Sequence, residues 1–139
     1  MIGVIIPYYK ITFFETTLES LAIQTNKRFK VYIGDDASPE DPSLLLEKYR
    51  GRFDFVYHRF ESNLGSTSLT QQWERCIELS NEEEWLMILG DDDYLETTVI
   101  ESWYNKYEDF SGKSNVVRFA TKVVLEETND VSNPYTHPV

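Results

Sequence analysis

Two groups of aspartates each follow an apolar segment with the composition of a buried strand. Asp35 and Asp36 end the first such segment, and Asp91, Asp92 and Asp93 end the second. Neighbouring carboxylates repel one another, so three in a row usually have a cation to hold them. Mg²⁺ and Mn²⁺ prefer oxygen ligands, and Mg²⁺ typically combines one or two carboxylates with substrate phosphates. The triplet therefore predicts a divalent-cation site. A solvated acidic turn is the alternative, and the isolated pair fits a structural role equally well.

The overall charge is strongly negative, with 13 Lys and Arg residues against 24 Asp and Glu residues and a formal net charge of -11. Such a chain repels a nucleic-acid backbone, so we expect no nucleic-acid partner, and a phosphorylated ligand would need a cation. The single cysteine, Cys76, excludes an internal disulfide and a cysteine metal cage, and we expect it in the core. His58 and His137 have no partner histidine at metal-binding spacing, so we expect surface or structural roles for them.

Hydrophobic periodicity predicts that strands and helices alternate along the chain. The predicted strands are residues 2–6, 29–33, 53–60, 84–89 and 116–124, and the predicted helices are about residues 12–25, 42–51, 68–79 and 97–107. This order requires an α/β fold, a three-layer sandwich with a mostly parallel central sheet. We expect residues 1–125 to form one domain and residues 126–139, which are poor in apolar side chains, to form a poorly ordered tail.

Local signals refine this outline. Thr12 and Glu15 have the spacing of a capping box at the start of the first helix. Trp73, Trp85 and Trp103 fall on apolar faces and are expected in the core. Ligands of open parallel sheets bind beyond the carboxyl ends of the strands, so the acidic groups and the loop that follows the first strand should meet at one edge.

Five motifs occur in an order that resembles a known enzyme family. Together they are similar to the motif series of family-two inverting glycosyltransferases with the GT-A fold, over residues 1–125. The motifs are Ile5-Ile6-Pro7-Tyr8-Tyr9, the segment 17–25, Tyr32-Ile33-Gly34-Asp35-Asp36-Ala37-Ser38, Asn63-Leu64-Gly65, and Leu89-Gly90-Asp91-Asp92-Asp93-Tyr94-Leu95. The resemblance implies a Rossmann-like half that binds a nucleotide sugar.

The resemblance also assigns roles to residues. It places the Pro7, Tyr8 and Tyr9 loop near the base and ribose and gives Asp36 a hydrogen bond to the base edge. It implies that the metal, and through it the diphosphate, is bound within the acidic triplet. Gly90 stands where many members have their first acid, so Asp92 and Asp93 become the best metal and ribose ligands, ahead of Asp91. The full predicted nucleotide set is Pro7, Tyr8, Tyr9, Asp35, Asp36, Asn63, Gly65, Asp91 and Asp92, and the metal set is Asp91, Asp92 and Asp93.

Two parts of the family pattern have no counterpart here. Gln71-Gln72-Trp73 stands where members often have an Arg-Asn pair early in the third helix. The base that deprotonates the acceptor hydroxyl lies well beyond the metal motif in this family, and we expect it beyond residue 139. Glu126, Glu127 and Asp130 come too soon to be assigned as that base. We therefore expect a fragment that keeps the donor site but lacks turnover.

The same resemblance implies the partners and the location. A nucleoside diphosphate sugar, with a UDP-sugar favoured, would be the donor, and a glycan would be the acceptor of the full-length protein. No apolar run approaches the roughly 18 residues that span a bilayer, and Met1 is not followed by a secretory signal, so we expect a cytoplasmic protein. Peripheral association with the inner membrane surface and self-association through an exposed sheet edge are further expectations.

Two other functions compete with this one. A non-catalytic module that binds sugar nucleotides would keep the same donor-site residues. A receiver domain of signalling systems is also an α/β protein with an acidic Mg²⁺ site, but it needs its acidic pair after the first strand. Here the first strand ends in Pro7-Tyr8-Tyr9. A receiver-like function is therefore the weaker alternative.

Overall fold

The computed structural model describes residues 1–136 and comprises two compact units, Met1–Tyr104 and a second that begins at Asn105. The strands, all in the first unit, are β1 (Ile2–Tyr8), β2 (Phe29–Asp35), β3 (Asp54–Arg59) and β4 (Trp85–Ile88). The helices are α1 (Phe14–Ala22), α2 (Ser43–Glu47), α3 (Leu69–Ile77) and α4 (Val99–Phe110), of which α4 crosses the boundary between the units.

The sheet of the first unit has the strand order β3-β2-β1-β4, and all of its pairs are parallel. The chain builds outward from β1 through β2 to β3, then returns to place β4 on the other side of β1. This is the order of a Rossmann-type half, whereas receiver domains have the order 2-1-3-4-5. The predicted fold class is confirmed, and the strand order excludes the receiver-like alternative.

Helices cover both faces of the sheet because successive strand residues point to opposite faces. On one face Ile5 of β1 and Tyr32 of β2 form a buried cluster with Cys76 of α3. On the opposite face Tyr8 of β1 packs its ring against Phe14 of α1, with the centroids 4.6 Å apart. The run from Ile2 to Ile6 is almost completely buried, which is why it is apolar at nearly every position.

Buried Gln24 fastens α1 to α4 on the second face. Its Nε2 donates to the backbone oxygen of Glu96 at 2.7 Å, and its Oε1 accepts from the N–H of Ile100 at 3.1 Å. The side-chain amide thus accepts from an N–H in the first turn of α4, where a helix has no internal partner for it, and also bonds to the segment just before the helix. The segment between β4 and α4 is held in the same way, since Ser20 Oγ accepts from the N–H of Leu95 at 3.1 Å.

Helix α3 begins with a side-chain cap, whereas α1 does not. Ser68 Oγ accepts from the N–H of Gln71 at 3.3 Å. The predicted capping box of Thr12 and Glu15 is wrong, because α1 begins after Phe13 without a side-chain cap. A backbone turn replaces the cap there, with the N–H of Phe14 bonded to the oxygen of Ile11 at 3.0 Å.

The predicted fifth strand at residues 116–124 is also wrong. Among the described residues of the second unit, which end at residue 136, this segment forms isolated antiparallel bridges and no strand, Thr121 with Tyr135 and Val124 with Val131. Its backbone groups find partners in the residues that follow, as in the bond from the N–H of Leu125 to the oxygen of Asp130 at 2.9 Å. A local pairing therefore replaces the parallel strand that its valines suggest.

None of the helices within residues 1–136 is both long and apolar enough to cross a membrane.

Candidate functional site

A cavity of about 550 Å³ opens in the first unit where β1 and β4 end. The sheet reverses its direction of growth between these two strands, which is where doubly wound sheets bind ligands. The volume lies within the range of small-molecule sites. Its lining residues come from the ends of β1, β2 and β4 and from α3, and they are Pro7, Tyr8, Tyr9, Asp36, Leu69, Gln72, Trp73, Ile88, Gly90, Asp91, Asp92 and Asp93.

The two tyrosines after Pro7 have different environments. Tyr8 is fully buried, and its hydroxyl donates to the backbone oxygen of Glu40 at 2.6 Å. Burial raises the pKa of Tyr8 to about 12, so it stays a neutral hydrogen-bond donor. Tyr9 is half-exposed at the cavity. Tyr9 is therefore the aromatic side chain of this loop with a surface free for a ligand.

Asp91 connects the loop after β4 to the loop after β1. Its Oδ2 accepts from the backbone N–H of Tyr9 at 2.7 Å and from that of Lys10 at 2.8 Å. Two hydrogen bonds to a charged acceptor are strong ones. The carboxylate therefore fixes the two loops relative to each other across the cavity.

One carboxylate oxygen of Asp92 and one of Asp93 lie beside Gly90, close to the same point above its Cα. A methyl group placed on Gly90 would lie 2.8 Å from Oδ2 of Asp93 and 3.0 Å from Oδ1 of Asp92. Partial desolvation and the adjacent Asp92 charge raise the pKa of Asp93, with a smaller contribution from Asp91. Thr17 anchors the loop, because its hydroxyl donates to the backbone oxygen of Asp93 at 2.6 Å.

This donor set fits a cation that also takes ligands from a substrate. Within residues 1–136 no three His, Cys, Asp or Glu side chains are arranged to enclose a metal ion. Two converging carboxylates are nevertheless what Mg²⁺ typically takes from a protein when phosphates complete its coordination. Asp92 and Asp93 are the two carboxylates that could serve in this way. The pKa of Asp93 is raised mainly by its partial burial, and the charge of Asp92 adds to that rise.

Asp35 lies outside the cavity lining and is completely buried. Its Oδ1 accepts from the N–H of Ser38 at 2.8 Å. Its Oδ2 accepts from the Tyr57 hydroxyl at 2.5 Å and from Arg59 Nη1 at 3.1 Å. These contacts hold the turn after β2 and pair a buried charge, so the carboxylate of Asp35 is occupied by its own chain.

Asp36 lines the cavity, and its carboxylate organises the loop that follows β3. Oδ1 accepts from the N–H of Leu64 at 2.7 Å, and Oδ2 accepts from Asn63 Nδ2 and from the N–H of Gly65, each at 3.0 Å. A methyl group on Gly65 would lie 2.6 Å from Oδ2 of Asp36, which explains glycine at that position. The predicted residues Asp36, Asn63 and Gly65 are thus brought together in one network.

The sequence interpretation missed Arg75 and Gln72. Arg75 Nη2 donates to Oδ1 of Asp36 at 2.6 Å, and the guanidinium lies 4.0 Å from the ring centroid of Phe60. Gln72 is buried, and its Oε1 accepts from Arg75 Nε at 2.5 Å. The spacing of Gln72 and Arg75 by one helical turn was visible in the sequence, but Asp36, the partner of Arg75, lies 39 positions earlier and gave no local signal.

Trp73 is not in the core as predicted. It is 39% exposed and lines the cavity together with Leu69, one turn earlier in α3. The buried side of α3 carries Gln72 and Cys76, and a residue next to Gln72 is rotated about 100° from it around the helix. Trp73 therefore lies at the margin of the buried face.

The other single-residue expectations can be placed as well. Cys76 is fully buried, which confirms its core assignment, and Trp103 is buried too. Trp85 is partly buried in β4. His58 is exposed and packs on Phe60, with ring centroids 4.8 Å apart, in keeping with a surface role. His137 lies outside the described residues.

Crystal structures of S. aureus TarS have a similar fold. TarS 1-349 in complex with UDP-GlcNAc superposes with a TM-score of 0.70 at 20% identity, over 88% of this chain and 40% of that chain. TarS 1-349 in complex with UDP gives a TM-score of 0.71 at 21% identity, over 88% and 41%. A longer TarS structure gives 0.69 at 22% identity, over 88% and 21%.

The chain thus spans less than half the length of each of these TarS chains. Similarity at this level of identity shows a shared fold. No curated protein matches the sequence.

The family relationship rests on the sequence model of the family described as Glycosyl transferase family 2, which matches residues 3–130. That range contains all five motifs and every residue of the cavity lining. The chain therefore belongs to glycosyl transferase family 2.

Proposed function

We propose that this chain binds a nucleoside diphosphate sugar through a divalent cation and is the donor-binding part of an inverting glycosyltransferase. The observation that carries the proposal is the convergence of Asp92 and Asp93 above Gly90, inside the cavity at the carboxyl ends of β1 and β4. A nucleotide sugar has a diphosphate that needs a cation in so acidic a chain, and a flat base that suits an aromatic wall.

The nucleoside would occupy the side of the cavity formed by the β1 loop and the Asp36 network. Tyr9 offers an exposed ring, and Pro7 and Tyr8 form the floor behind it. Asn63 and Gly65 act through Asp36, because both donate to its carboxylate. These residues would shape the base and ribose subsite, with Asp36 as the acceptor that holds their loop in place.

The diphosphate would lie at the acidic loop after β4. A bound Mg²⁺ or Mn²⁺ supplies charge neutralisation to the departing nucleoside diphosphate. Asp92 and Asp93 would hold it, and the hydroxyl of Thr17 keeps the loop in place through the backbone oxygen of Asp93. The role of these residues is to position the leaving group and to stabilise the charge that develops on it.

No residue of the cavity is assigned as the base that activates the acceptor. Asp36 and Asp91 are engaged in hydrogen bonds with their own chain, and Asp92 and Asp93 belong to the proposed cation site. The acceptor, which we propose to be a glycan by family relationship, would bind outside this donor site. The part of the reaction supported by the described residues is thus donor binding and departure of the diphosphate.

We propose a uridine nucleotide as the donor. The solved TarS structures of similar fold contain UDP-GlcNAc and UDP. UDP-GlcNAc is therefore the first donor to test.

Isothermal titration calorimetry with UDP, GDP, CDP and dTDP, each with and without Mn²⁺, tests this proposal. We expect one nucleotide, UDP, to bind in the presence of Mn²⁺ and to weaken at least about tenfold without it, because the metal carries the diphosphate contact. Binding of all four nucleotides with equal affinity, or binding that is indifferent to Mn²⁺, would contradict it.

A further inference from the structure

Asp91 lies beside two potential cation ligands but makes different contacts from either of them. Its Oδ2 accepts from two consecutive backbone N–H groups, those of Tyr9 and Lys10. We propose that Asp91 is a positioning residue that locks the nucleoside loop to the acidic loop, and that Asp92 and Asp93 alone supply carboxylates to the cation. This inference rests on the proposed function.

The two N–H groups need an acceptor because the sheet ends beside them. Strand β4 pairs with β1 only as far as Ile88 opposite Ile5, and the last backbone contact on this side runs from the N–H of Leu89 to the oxygen of Ile5. On the other side of β1 the pairing ends at Tyr8 opposite Asp35. The side chain of Asp91 therefore accepts the hydrogen bonds of the two N–H groups that lie beyond the end of the β1–β4 pairing.

These bonds fill Oδ2, so a contact between Asp91 and a metal would have to come from Oδ1 alone. A carboxylate oxygen accepts about two hydrogen bonds, and Oδ2 of Asp91 already has two at 2.7 and 2.8 Å. The oxygens that approach the common point above Gly90 belong instead to Asp92 and Asp93.

The lock also links the two halves of the ligand site. Tyr9 lies on the proposed nucleoside side, and Asp91 is followed directly by the proposed cation ligands. Releasing the lock would let the nucleoside loop move without removing a ligand from the cation. Loss of Asp91 should thus weaken binding of the nucleoside and spare the gain in affinity that Mn²⁺ provides.

The substitutions Asp91→Asn and Asp91→Ala separate the two roles. The amide oxygen of asparagine can still accept from both N–H groups, but it lacks the charge that a cation ligand needs. Alanine removes the acceptor altogether. A positioning role predicts rescue by Asn, whereas a ligand role predicts that Asn is as damaging as Asp92→Asn.

The first measurement is amide hydrogen exchange by NMR on the ligand-free protein. We expect the N–H groups of Tyr9 and Lys10 to be protected in the wild type and in Asp91→Asn, and to exchange at least about tenfold faster in Asp91→Ala. Unchanged protection in Asp91→Ala, with a cooperative unfolding transition retained, would overturn the lock. This measurement does not depend on nucleotide binding.

The second measurement is the ratio of UDP dissociation constants without and with Mn²⁺. We expect both dissociation constants of Asp91→Asn to stay within about threefold of the wild type. In Asp91→Ala both dissociation constants should rise while their ratio stays the same. In Asp92→Asn the ratio should fall by about tenfold or more. Loss of the ratio in Asp91→Asn would overturn the inference alone. Wild-type protein that binds no nucleotide would refute the proposed function instead, and the exchange result would still decide the lock.

Discussion

Five aspartates cluster at the carboxyl edge of the sheet, and their partners give them different roles. Asp35 is buried against Tyr57 and Arg59. Asp36 and Asp91 hold backbone N–H groups of other loops. The oxygens of Asp92 and Asp93 converge above Gly90. The sequence identified all five as candidates. It could not predict which of them are held by other parts of the chain, because their hydrogen-bond partners lie far along the chain.

The raised pKa of Asp93 predicts that Asp93→Asn stabilises the metal-free protein at neutral pH. The folded state disfavours this charge relative to the unfolded chain, whose pKa is the ordinary 3.8. Removing the charge should raise the free energy of unfolding above the folded pKa, and the gain should vanish below the unfolded pKa, where both forms are protonated. Because solvent screens this carboxylate, the gain should be less than about 1 kcal/mol.

Urea denaturation of the wild type and Asp93→Asn at pH 7 and at pH 3 measures this effect. The exposed carboxylate of Glu82 provides the control variant Glu82→Gln. A destabilising effect of Asp93→Asn at pH 7, or a gain that persists at the lower pH, would contradict the pKa argument.

Arg75 should matter for stability far more than other arginines in ion pairs. Arg75→Met leaves the nearly buried charge of Asp36 without its cation, which should lower the free energy of unfolding by on the order of 3 kcal/mol. Arg50→Met breaks the pair with Glu47, in which both side chains are 61% exposed, and should change stability by at most about 0.5 kcal/mol. Urea denaturation of both variants provides the comparison; equal losses would show that the Asp36 pair has no special role.

At the scale of elements, the strands β1 to β4 and the helices α1 to α4 were predicted within a few residues. The apolar residues of these elements are the ones that are buried, as in the continuous apolar run of β1 and in Leu18, Leu21 and Ala22, which follow helical spacing in α1. The start of α1 and the fate of residues 116–124 were not predicted. In each case backbone groups nearby in sequence supplied hydrogen bonds that side-chain patterns do not show.

The close approach of α3 to β2 is an element-scale property that depends on Gly34. A methyl group on Gly34 would overlap Sγ of Cys76 and lie 3.0 Å from Phe60. Gly34→Ala should therefore lower the free energy of unfolding by roughly 1–3 kcal/mol. Cys76→Ala removes the overlapping sulfur, so the double variant should lose less than the sum of the two single variants. Additive losses in urea denaturation would mean that the helix does not rest on this contact.

At the scale of the whole molecule, the strand order brings together residues that are distant in sequence. The order β3-β2-β1-β4 sets the loops after β1 and β4 side by side, so that Tyr9 and Asp91 meet although 82 positions separate them. The motif order predicted the family, and the family model confirms it over residues 3–130. The same fold concentrates carboxylates at one edge of a chain with a net charge of -11, so the proposed diphosphate would need a cation to bind there.

The position of the bound cation tests the account most directly. NMR spectra of the UDP-bound protein with substoichiometric Mn²⁺ should show selective broadening of the amide signals of residues 90–93. The broadening should persist in a charge-matched control, Glu78→Gln with Glu82→Gln, and disappear in Asp92→Asn with Asp93→Asn, because ligand loss weakens metal binding by about 10–100-fold or more. Broadening that remains at residues 90–93 in the Asp92 and Asp93 double variant, or that centres elsewhere in the wild type, would contradict the proposed cation site.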